Sequence, residues 1–282
     1  MYLPNFLQSK NLALTILYGE QTEGIIEKLP TQMIGWMKYF KTLNLVLVRT
    51  KNFMVTITGY RYKDIRRGAD FKYMYRPSGG SITNLWVKDY GYLQASSQTV
   101  YHKWEMNYPE IDSSLPLTPR IEFKDSNAYY TNLYEFDSHI ETSENNGVFT
   151  IETIGELKDK NRWEGGVAYT LTHKIADDYI EKIIRLRFQG NKPLVRIIEP
   201  FIQNKNTSFK KIDDYSVEIK DGDHKFLFEL LTKDSPPVEL GTDEEKYDEP
   251  FPSLKGYPVL IKVKPDKNSF IKEIKYRIKI IS

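Results

Sequence analysis

The chain has 282 residues, of which 40% are hydrophobic and 28% are charged, so it can bury a large core in one large or two small domains. With 40 Lys and Arg against 38 Asp and Glu, its net charge of +2 argues against nucleic acid or an anionic membrane as a partner. The absence of cysteine excludes disulfides, thiolate zinc sites and cysteine nucleophiles. No apolar run reaches the roughly 18 residues that span a bilayer, and the N-terminus lacks the pattern of a signal peptide.

The first predicted element is a lead-in over residues 1–42. In the stretch "QTEGIIEKLPTQMIGWMKYF", apolar residues recur at mixed spacings of three and four on both sides of Pro30. This spacing predicts two short helical turns that the proline separates. We expect this short helical N-terminal lead-in to pack on a sheet.

From residue 43 the pattern changes to strands. Two β-rich runs flank Lys51 and Asn52, a connection length that favours a tight hairpin. The turn signals "NNG" at 145–147, "DGD" at 221–223 and "SPP" at 235–237 separate later runs. Those later predicted strands are Asn84–Val87, Gly91–Ala95, Thr99–Met106, Val148–Ile154, Val167–His173, Ile180–Phe188, Val195–Ile202, Val217–Ile219, Phe226–Leu231, Val259–Val263 and Ile271–Ile281.

The last predicted strand has the clearest alternation of apolar and charged residues. The apolar set is Ile274, Tyr276, Ile278 and Ile280, and the charged set is Glu273, Lys275, Arg277 and Lys279. One face therefore belongs to the core and the other to solvent. Many short strands with few helices between them predict an all-β fold, with an antiparallel β-sandwich domain over residues 43–282.

A basic and aromatic strip precedes the Gly-Gly-Ser turn. The stretch "YRYKDIRRGADFKYMYR" at 60–76 interleaves arginines, among them Arg66, Arg67 and Arg76, with four tyrosines. Such a strip suits an acidic polysaccharide. Arginines with stacking platforms also bind single-stranded nucleic acid, but the nearly neutral chain argues against that reading.

The predicted strand Thr99–Met106 carries a histidine and a tryptophan on one face. Alternation places His102 beside Trp104 and puts Tyr101 on the opposite face. Two interpretations stay open for His102 and two for Trp104. His102 is a hydrogen-bonded surface histidine or a catalytic group, and Trp104 is a core residue or a sugar platform.

The segment "KNRWEGG" at 160–166 gathers three kinds of side chain in one polar loop. Arg162, Trp163 and Glu164 offer a bidentate cation, an aromatic face and a carboxylate just before a glycine pair. Sugars bind such sets through stacking on the indole and hydrogen bonds to charged planar groups. The alternative is a tryptophan that anchors the loop to the sheet.

The histidines do not form a metal-binding pattern. The chain has four, widely spaced and without cysteine partners, so we expect no metal site. We also find no phosphate-binding loop, dinucleotide fingerprint or nucleophile elbow, and we expect no cofactor. His173 ends an alternating run and is expected at the strand's rim, where a cleft could open.

A family resemblance rests on two stretches of this sequence. "NLVLVRTKNFMVTITGYRY", followed by a Gly-Gly turn and "NLW...GYLQASS", resembles the opening of the β-sandwich half of polysaccharide lyases of the heparinase II/III and hyaluronate/chondroitin lyase kind. The run "WEGGVAYTLTHKIADDYIEKIIRLRFQGNKPLVRIIEPFI" resembles the long strands of the supersandwich that those lyases share with aldose epimerases. The resemblance covers roughly residues 43 to 202 and is one of pattern.

The resemblance implies an antiparallel β-supersandwich whose partner is a polysaccharide or oligosaccharide. In such lyases a helical toroid supplies much of the cleft, and the first forty residues are too short for one, so it also implies a separate helical catalytic module. It further implies a periplasmic or secreted protein. β-Elimination beside a uronic acid needs a base and an acid, and Tyr101 and His102 are the candidates for these roles. Because alternation puts them on opposite faces, they share one site only if a bulge intervenes.

Two hypotheses of function follow. In the first, the domain processes or binds carbohydrate, with Arg66, Arg67, Arg76, Trp104 and the Arg162–Glu164 loop as its binding residues. In the second, it is a non-catalytic structural or protein-interaction domain whose aromatic residues are core. They differ in whether indoles and guanidinium groups converge on one open surface.

Overall fold

A computed structural model describes residues 32–61, 76–97, 114–125, 128–190, 192–241, 246–249, 254–265 and 268–281. The chain divides into two compact units, Met1–Met33 and Ile34–Ser282, and the first lies almost entirely outside the described residues. The second unit contains twenty described strands. Its one described helical element is a 3-10 turn at Asn132–Tyr134. No helix in these ranges is long and apolar enough to span a bilayer.

Five strands form a small antiparallel sheet in simple chain order. The strands are β1 (Trp36–Phe40), β2 (Leu45–Arg49), β3 (Phe53–Thr58), β4 (Ser81–Val87) and β5 (Gly91–Ala95). Three of the four connections are short, because adjacent antiparallel strands need only a tight turn between them, whereas β3 and β4 are joined by residues 59–80.

Fifteen strands form the large sheet. The strands are β6 (Ser114–Leu115), β7 (Arg120–Lys124), β8 (Tyr129–Thr131), β9 (His139–Asn145), β10 (Val148–Lys158), β11 (Glu164–Ile175), β12 (Tyr179–Phe188), β13 (Val195–Ile202), β14 (Ser208–Asp213), β15 (Ser216–Asp221), β16 (His224–Leu230), β17 (Glu239–Leu240), β18 (Lys246–Glu249), β19 (Leu254–Val263) and β20 (Ile271–Ile281). Their order in the sheet is β14-β15-β16-β20-β12-β11-β10-β8-β7-β13-β19-β18-β6, with β17 beside β19 and β9 beside β10. Among the described pairings only β18 with β6 is parallel.

Alternating apolar residues of both sheets form one continuous core. The small sheet contributes Val46, Val48 and Phe53, and the large sheet contributes Phe149 and Ile274, all at 1% exposure or less. Because successive side chains on a strand point to opposite faces, this alternation leaves the other face of the large sheet polar. We call the face that packs against the small sheet the inner face and the opposite face the outer face.

The structure confirms the antiparallel, nearly all-β fold and most of the predicted strands. Gly91–Ala95, Val195–Ile202 and Ile271–Ile281 form strands with the predicted bounds. The Lys51–Asn52 hairpin joins β2 to β3. The predicted strand Thr99–Met106 lies outside the described residues.

The helical interpretation of the lead-in is wrong at its C-terminal end. Trp36–Phe40, which was predicted to be helical, forms β1 and pairs with β2 from Trp36 opposite Arg49 to Phe40 opposite Leu45. A free strand edge on β2 explains the difference, because ladder hydrogen bonds outweigh a weak helical preference in a five-residue segment. Residues 1–31 of the lead-in lie outside the described residues.

A buried polar cluster joins the two sheets. Lys182 on β12 donates to both carboxylate oxygens of Glu199 on β13, at 2.7 and 2.9 Å. The Tyr276 hydroxyl donates to Glu199 Oε1 at 2.6 Å, and Gln94 Nε2 of the small sheet donates to Glu199 Oε2 at 2.7 Å. All four side chains are almost fully buried. Burial lowers the pKa of Lys182, and the charge of Glu199 opposes this shift.

Candidate functional site

The turn between β10 and β11 is held by one buried carboxylate. Asp159 is only 8% exposed, and its Oδ1 accepts the backbone N–H groups of Asn161 and Trp163, each at 2.8 Å. The backbone N–H of Arg162 donates to the Asp159 carbonyl at 2.8 Å. These bonds close the turn in the manner of an Asx motif and fix the residues that follow Asp159.

Trp163 stands at the tip of this turn with its side chain largely in solvent. It is 72% exposed, so it does not anchor the loop to the sheet. Arg162 adopts a left-handed backbone with φ of 68°, and its guanidinium lies 5.6 Å from the ring centroid of Phe136. Glu164 is exposed at the start of β11. The turn therefore presents an indole, a guanidinium and a carboxylate at one surface.

A row of outer-face positions runs from the turn across four strands. Glu156 on β10 is opposite Ala168 on β11, which is opposite Arg187 on β12, which is opposite Ile271 on β20. Register partners on adjacent strands share a face. Arg187 is exposed, whereas Ala168 is buried at 8% exposure.

Glu156 is the carboxylate of this row, and its pKa is perturbed. Partial burial and the charge of Glu164 raise the pKa of Glu156, while Arg187 and a hydrogen bond from Gln189 act in the opposite direction. The Gln189 amide donates to Glu156 Oε1 at 3.0 Å. Among the described residues the buried Oε2 has no hydrogen-bond partner. Such a carboxyl group holds a proton more readily than an ordinary glutamate does.

Three of the predicted site residues lie in one turn, and the structure describes a fourth in another segment. Arg162, Trp163 and Glu164 share the β10–β11 turn, whereas Arg76 is exposed at the start of the segment that leads into β4. That segment lies against β3 of the small sheet, where the Thr58 hydroxyl donates to the Pro77 carbonyl at 2.9 Å. The other predicted site residues, Arg66, Arg67, Tyr101, His102 and Trp104, lie outside the described residues.

The position expected for His173, at a strand's rim beside a cleft, is wrong. His173 is fully buried on the inner face of β11, opposite Lys182 on β12. It lines a cavity of about 10 Å³ with Lys182, Glu199 and Tyr276. Burial, and then the charge of Lys182, lowers its pKa well below the ordinary value. The alternation of β11 was predicted correctly. The face that carries His173, however, packs in the core rather than at a cleft.

The arrangement can stack a sugar ring and hold an acid group beside it. The exposed indole supplies an apolar face, and Arg162 and Arg187 supply planar donors for carboxylate or sulfate. Sequence reasoning missed Glu156, Arg187 and Gln189. The alternation within the sequence of Ile180–Phe188 is a signal that could have placed Arg187 on the solvent face, but only the pairing of β10, β11 and β12 brings it near Glu156.

The fold is a nearly all-β domain of the kind that the sequence predicted. The chain belongs to the Ulvan lyase C-terminal domain family, whose model matches residues 37–277. It is also similar to a broad-specificity ulvan lyase of Formosa agariphila, with 28% identity over 141 residues that cover 48% of this chain and 21% of that enzyme. The chain thus spans about a fifth of the length of that curated relative.

Solved structures of lyases share the fold. The heparan sulfate lyase HepC of Pedobacter heparinus superposes with a TM-score of 0.64 at 10% identity, over 98% of this chain and 42% of that one. A heparinase III, the BT4657 gene product, gives a TM-score of 0.63 at 12% identity, over 98% of this chain and 41% of that one. At such identities the likeness shows the fold alone.

Proposed function

We propose that this chain is the sheet domain of a polysaccharide lyase and that it binds an acidic polysaccharide of the ulvan kind at the β10–β11 turn. Family membership supports the class of substrate. The observation that carries the assignment of the site is the exposure of Trp163, at 72%, on a turn that Asp159 holds in place. A soluble protein gains little stability from such an indole, whereas a ligand can bury it.

The basic residues around Trp163 fit an anionic ligand. Arg162 lies in the turn before β11 and Arg187 lies on β12 near Glu156, and guanidinium groups bind carboxylates and sulfates through paired hydrogen bonds. Glu156 and Glu164 are the carboxylates of the same surface. They can accept hydrogen bonds from sugar hydroxyls, so the surface suits a polymer that carries both hydroxyls and acid groups.

Catalysis by the complete protein rests on residues outside this turn. Tyr101 and His102 are our candidates for the proton transfers of β-elimination, in which a base removes the proton next to the uronate carboxylate and an acid protonates the leaving oxygen. A helical module is the proposed partner that completes the cleft. A protein with such a substrate acts outside the cytoplasm, in the periplasm or after secretion.

Titration with ulvan oligosaccharides tests the binding site through tryptophan fluorescence. We expect the wild-type protein to show a saturable change, Trp163→Ala to lower the affinity about tenfold, and Trp163→Phe to retain most of it. Trp86→Phe is the matched control, because Trp86 is half-buried on β4 with Arg49 5.5 Å from its ring. No response of the wild type to any acidic oligosaccharide would favour the structural domain instead.

A further inference from the structure

An exposed apolar patch lies at the same end of the large sheet as the Trp163 turn. Phe270 is 53% exposed, Ile271 is 42% exposed and Leu194 is 43% exposed. The ammonium group of Lys192 lies 4.3 Å from the ring centroid of Phe270, which links the segment before β13 to the segment before β20. Exposed apolar patches bordered by charge mark binding sites more often than isolated exposed residues do.

Backbone hydrogen bonds fix the patch relative to the Trp163 turn. The N–H of Gln189 donates to the Gly166 carbonyl at 2.8 Å, and the N–H of the preceding Phe188 donates to the Phe270 carbonyl at 2.8 Å. One short stretch of β12 and its following loop therefore bonds to both segments. Ala168 and Ile271 are two strand spacings apart, about 10 Å, with Arg187 between them on the outer face.

The two aromatic residues thus lie at the same end of the large sheet. Trp163 precedes β11 and Phe270 precedes β20, and β12 is the strand between these two. Each aromatic residue has a cation beside it, Arg162 for Trp163 by sequence and Lys192 for Phe270 by contact. This end of the sheet therefore presents two pairs of an exposed aromatic ring and a positive charge.

We propose that Phe270 and Lys192 form a second subsite for an anionic oligosaccharide, at the same end of the large sheet as the Trp163 surface. The inference rests on the proposed function, because the same ligand occupies both subsites. Phe270 contacts the apolar face of a sugar ring, and Lys192 pairs with its carboxylate or sulfate. A long oligosaccharide reaches both subsites and a short one reaches only the first.

The test compares short and long ulvan oligosaccharides by isothermal titration calorimetry. We expect Phe270→Ala to weaken binding of the long oligosaccharide about fivefold and to leave the short one unchanged. Lys192→Gln should act in the same direction. Since Phe270 is half-exposed, both variants should keep the melting temperature of the wild type.

Lys233→Gln is the matched control for Lys192→Gln. Lys233 also lies 4.3 Å from an aromatic ring, that of Tyr215, but in the loop that follows β16. This variant should bind the long oligosaccharide as the wild type does. An equal loss in Lys233→Gln and Lys192→Gln would show a general charge effect and would overturn the subsite.

The outcomes separate the subsite from the proposed function. If Trp163→Ala weakens both ligands and Phe270→Ala weakens neither, the second subsite is overturned and the proposed function stands. If the wild type binds neither ligand, the proposed function fails and the subsite fails with it. If Phe270→Ala weakens the long ligand and Trp163→Ala does not, the continuity of the two subsites is overturned.

Discussion

Lys182 and Glu199 form an ion pair in the middle of the core, with both side chains 3% exposed and the Nζ–Oε1 distance at 2.7 Å. The pair joins β12 to β13, which are not adjacent in the large sheet, and Gln94 extends it to the small sheet. Taking two charges out of water is costly, so the pair stabilises the fold only while both members are present.

We expect Glu199→Gln to lower the free energy of unfolding by about 3–5 kcal/mol, because it leaves the Lys182 charge buried without a counter-charge. Urea unfolding followed by circular dichroism measures the change. Lys211→Gln is the control, since its pair with Asp214 is exposed and should contribute about 0–1 kcal/mol. A loss below 1 kcal/mol for Glu199→Gln would contradict the importance of the pair.

The buried His173 should make stability depend on pH. Its pKa in the folded protein lies well below the ordinary value, near 6.5 in an unfolded chain. Below about pH 6.5 the unfolded state therefore binds more protons, and the free energy of unfolding falls as the pH decreases. The full contribution is present above that pH.

The measurement is the slope of unfolding free energy against pH between about 7 and 5, for the wild type and for His173→Gln. The slope should be smaller in the variant, whatever its absolute stability. Glu181 does not interfere. Burial acts to raise its pKa, but Arg277 and Lys275 together outweigh burial and lower it, so its contribution is lost only below the ordinary glutamate range. Parallel profiles for the two proteins would show that His173 is not the group responsible.

Gly79 allows the turn before β4 to approach β8 and the residues after it. It has φ of +64°, and a Cβ atom there would lie 2.0 Å from the carbonyl oxygen of Asn132. We expect Gly79→Ala to cost about 3–5 kcal/mol, from backbone strain and from the clash together. Gly147, with φ of +75° and nothing near its Cβ position, is the matched control and should cost only about 1–2 kcal/mol. Equal losses of unfolding free energy in Gly79→Ala and Gly147→Ala, measured by thermal or urea unfolding, would show that the close approach of Gly79 to Asn132 is not the cause.

Glu156 should weaken the binding of anionic oligosaccharides at neutral pH. Its carboxylate lies near Arg187, and its raised pKa means that it is neutralised at a higher pH than an ordinary glutamate. Binding should therefore strengthen as the pH falls from 7 toward that pKa. Glu156→Gln should bind more tightly at pH 7, with a flatter dependence on pH.

The control for this variant is Glu144→Gln, an exposed residue on β9. It should follow the wild-type pH profile of affinity. An unchanged profile in Glu156→Gln would mean that another group near the ligand titrates.

The strands that sequence patterns predicted well are those with strong apolar content. β20 alternates between core and solvent side chains over its whole length, and β13 is buried at nearly every position. The strands that were missed have the opposite character. β14 and β9 are mostly exposed and polar, so their sequences carry no alternation, and they are strands because a neighbour offers free backbone groups.

The candidate site divides in the same way. The grouping of Arg162, Trp163 and Glu164 was predicted, because residues that adjoin in sequence also adjoin in a turn. The exposure of the indole could not be predicted, since it depends on which elements pack around the turn. Phe270 and Lys192 were not singled out, because seventy-odd residues separate them and only the pairing of β12 with β20 brings their segments together.

By itself the sequence determined the fold class, the family resemblance and the positions of the long strands, because alternation and turn residues act over a few neighbouring positions. The tertiary structure alone decided the order of the fifteen strands, the burial of His173 and the placement of Trp163 and Phe270 at one end of the large sheet. These features depend on contacts between residues far apart in the chain. A period-two pattern states that a strand has two faces, but only the packed sheets decide which face is core and which strands are neighbours.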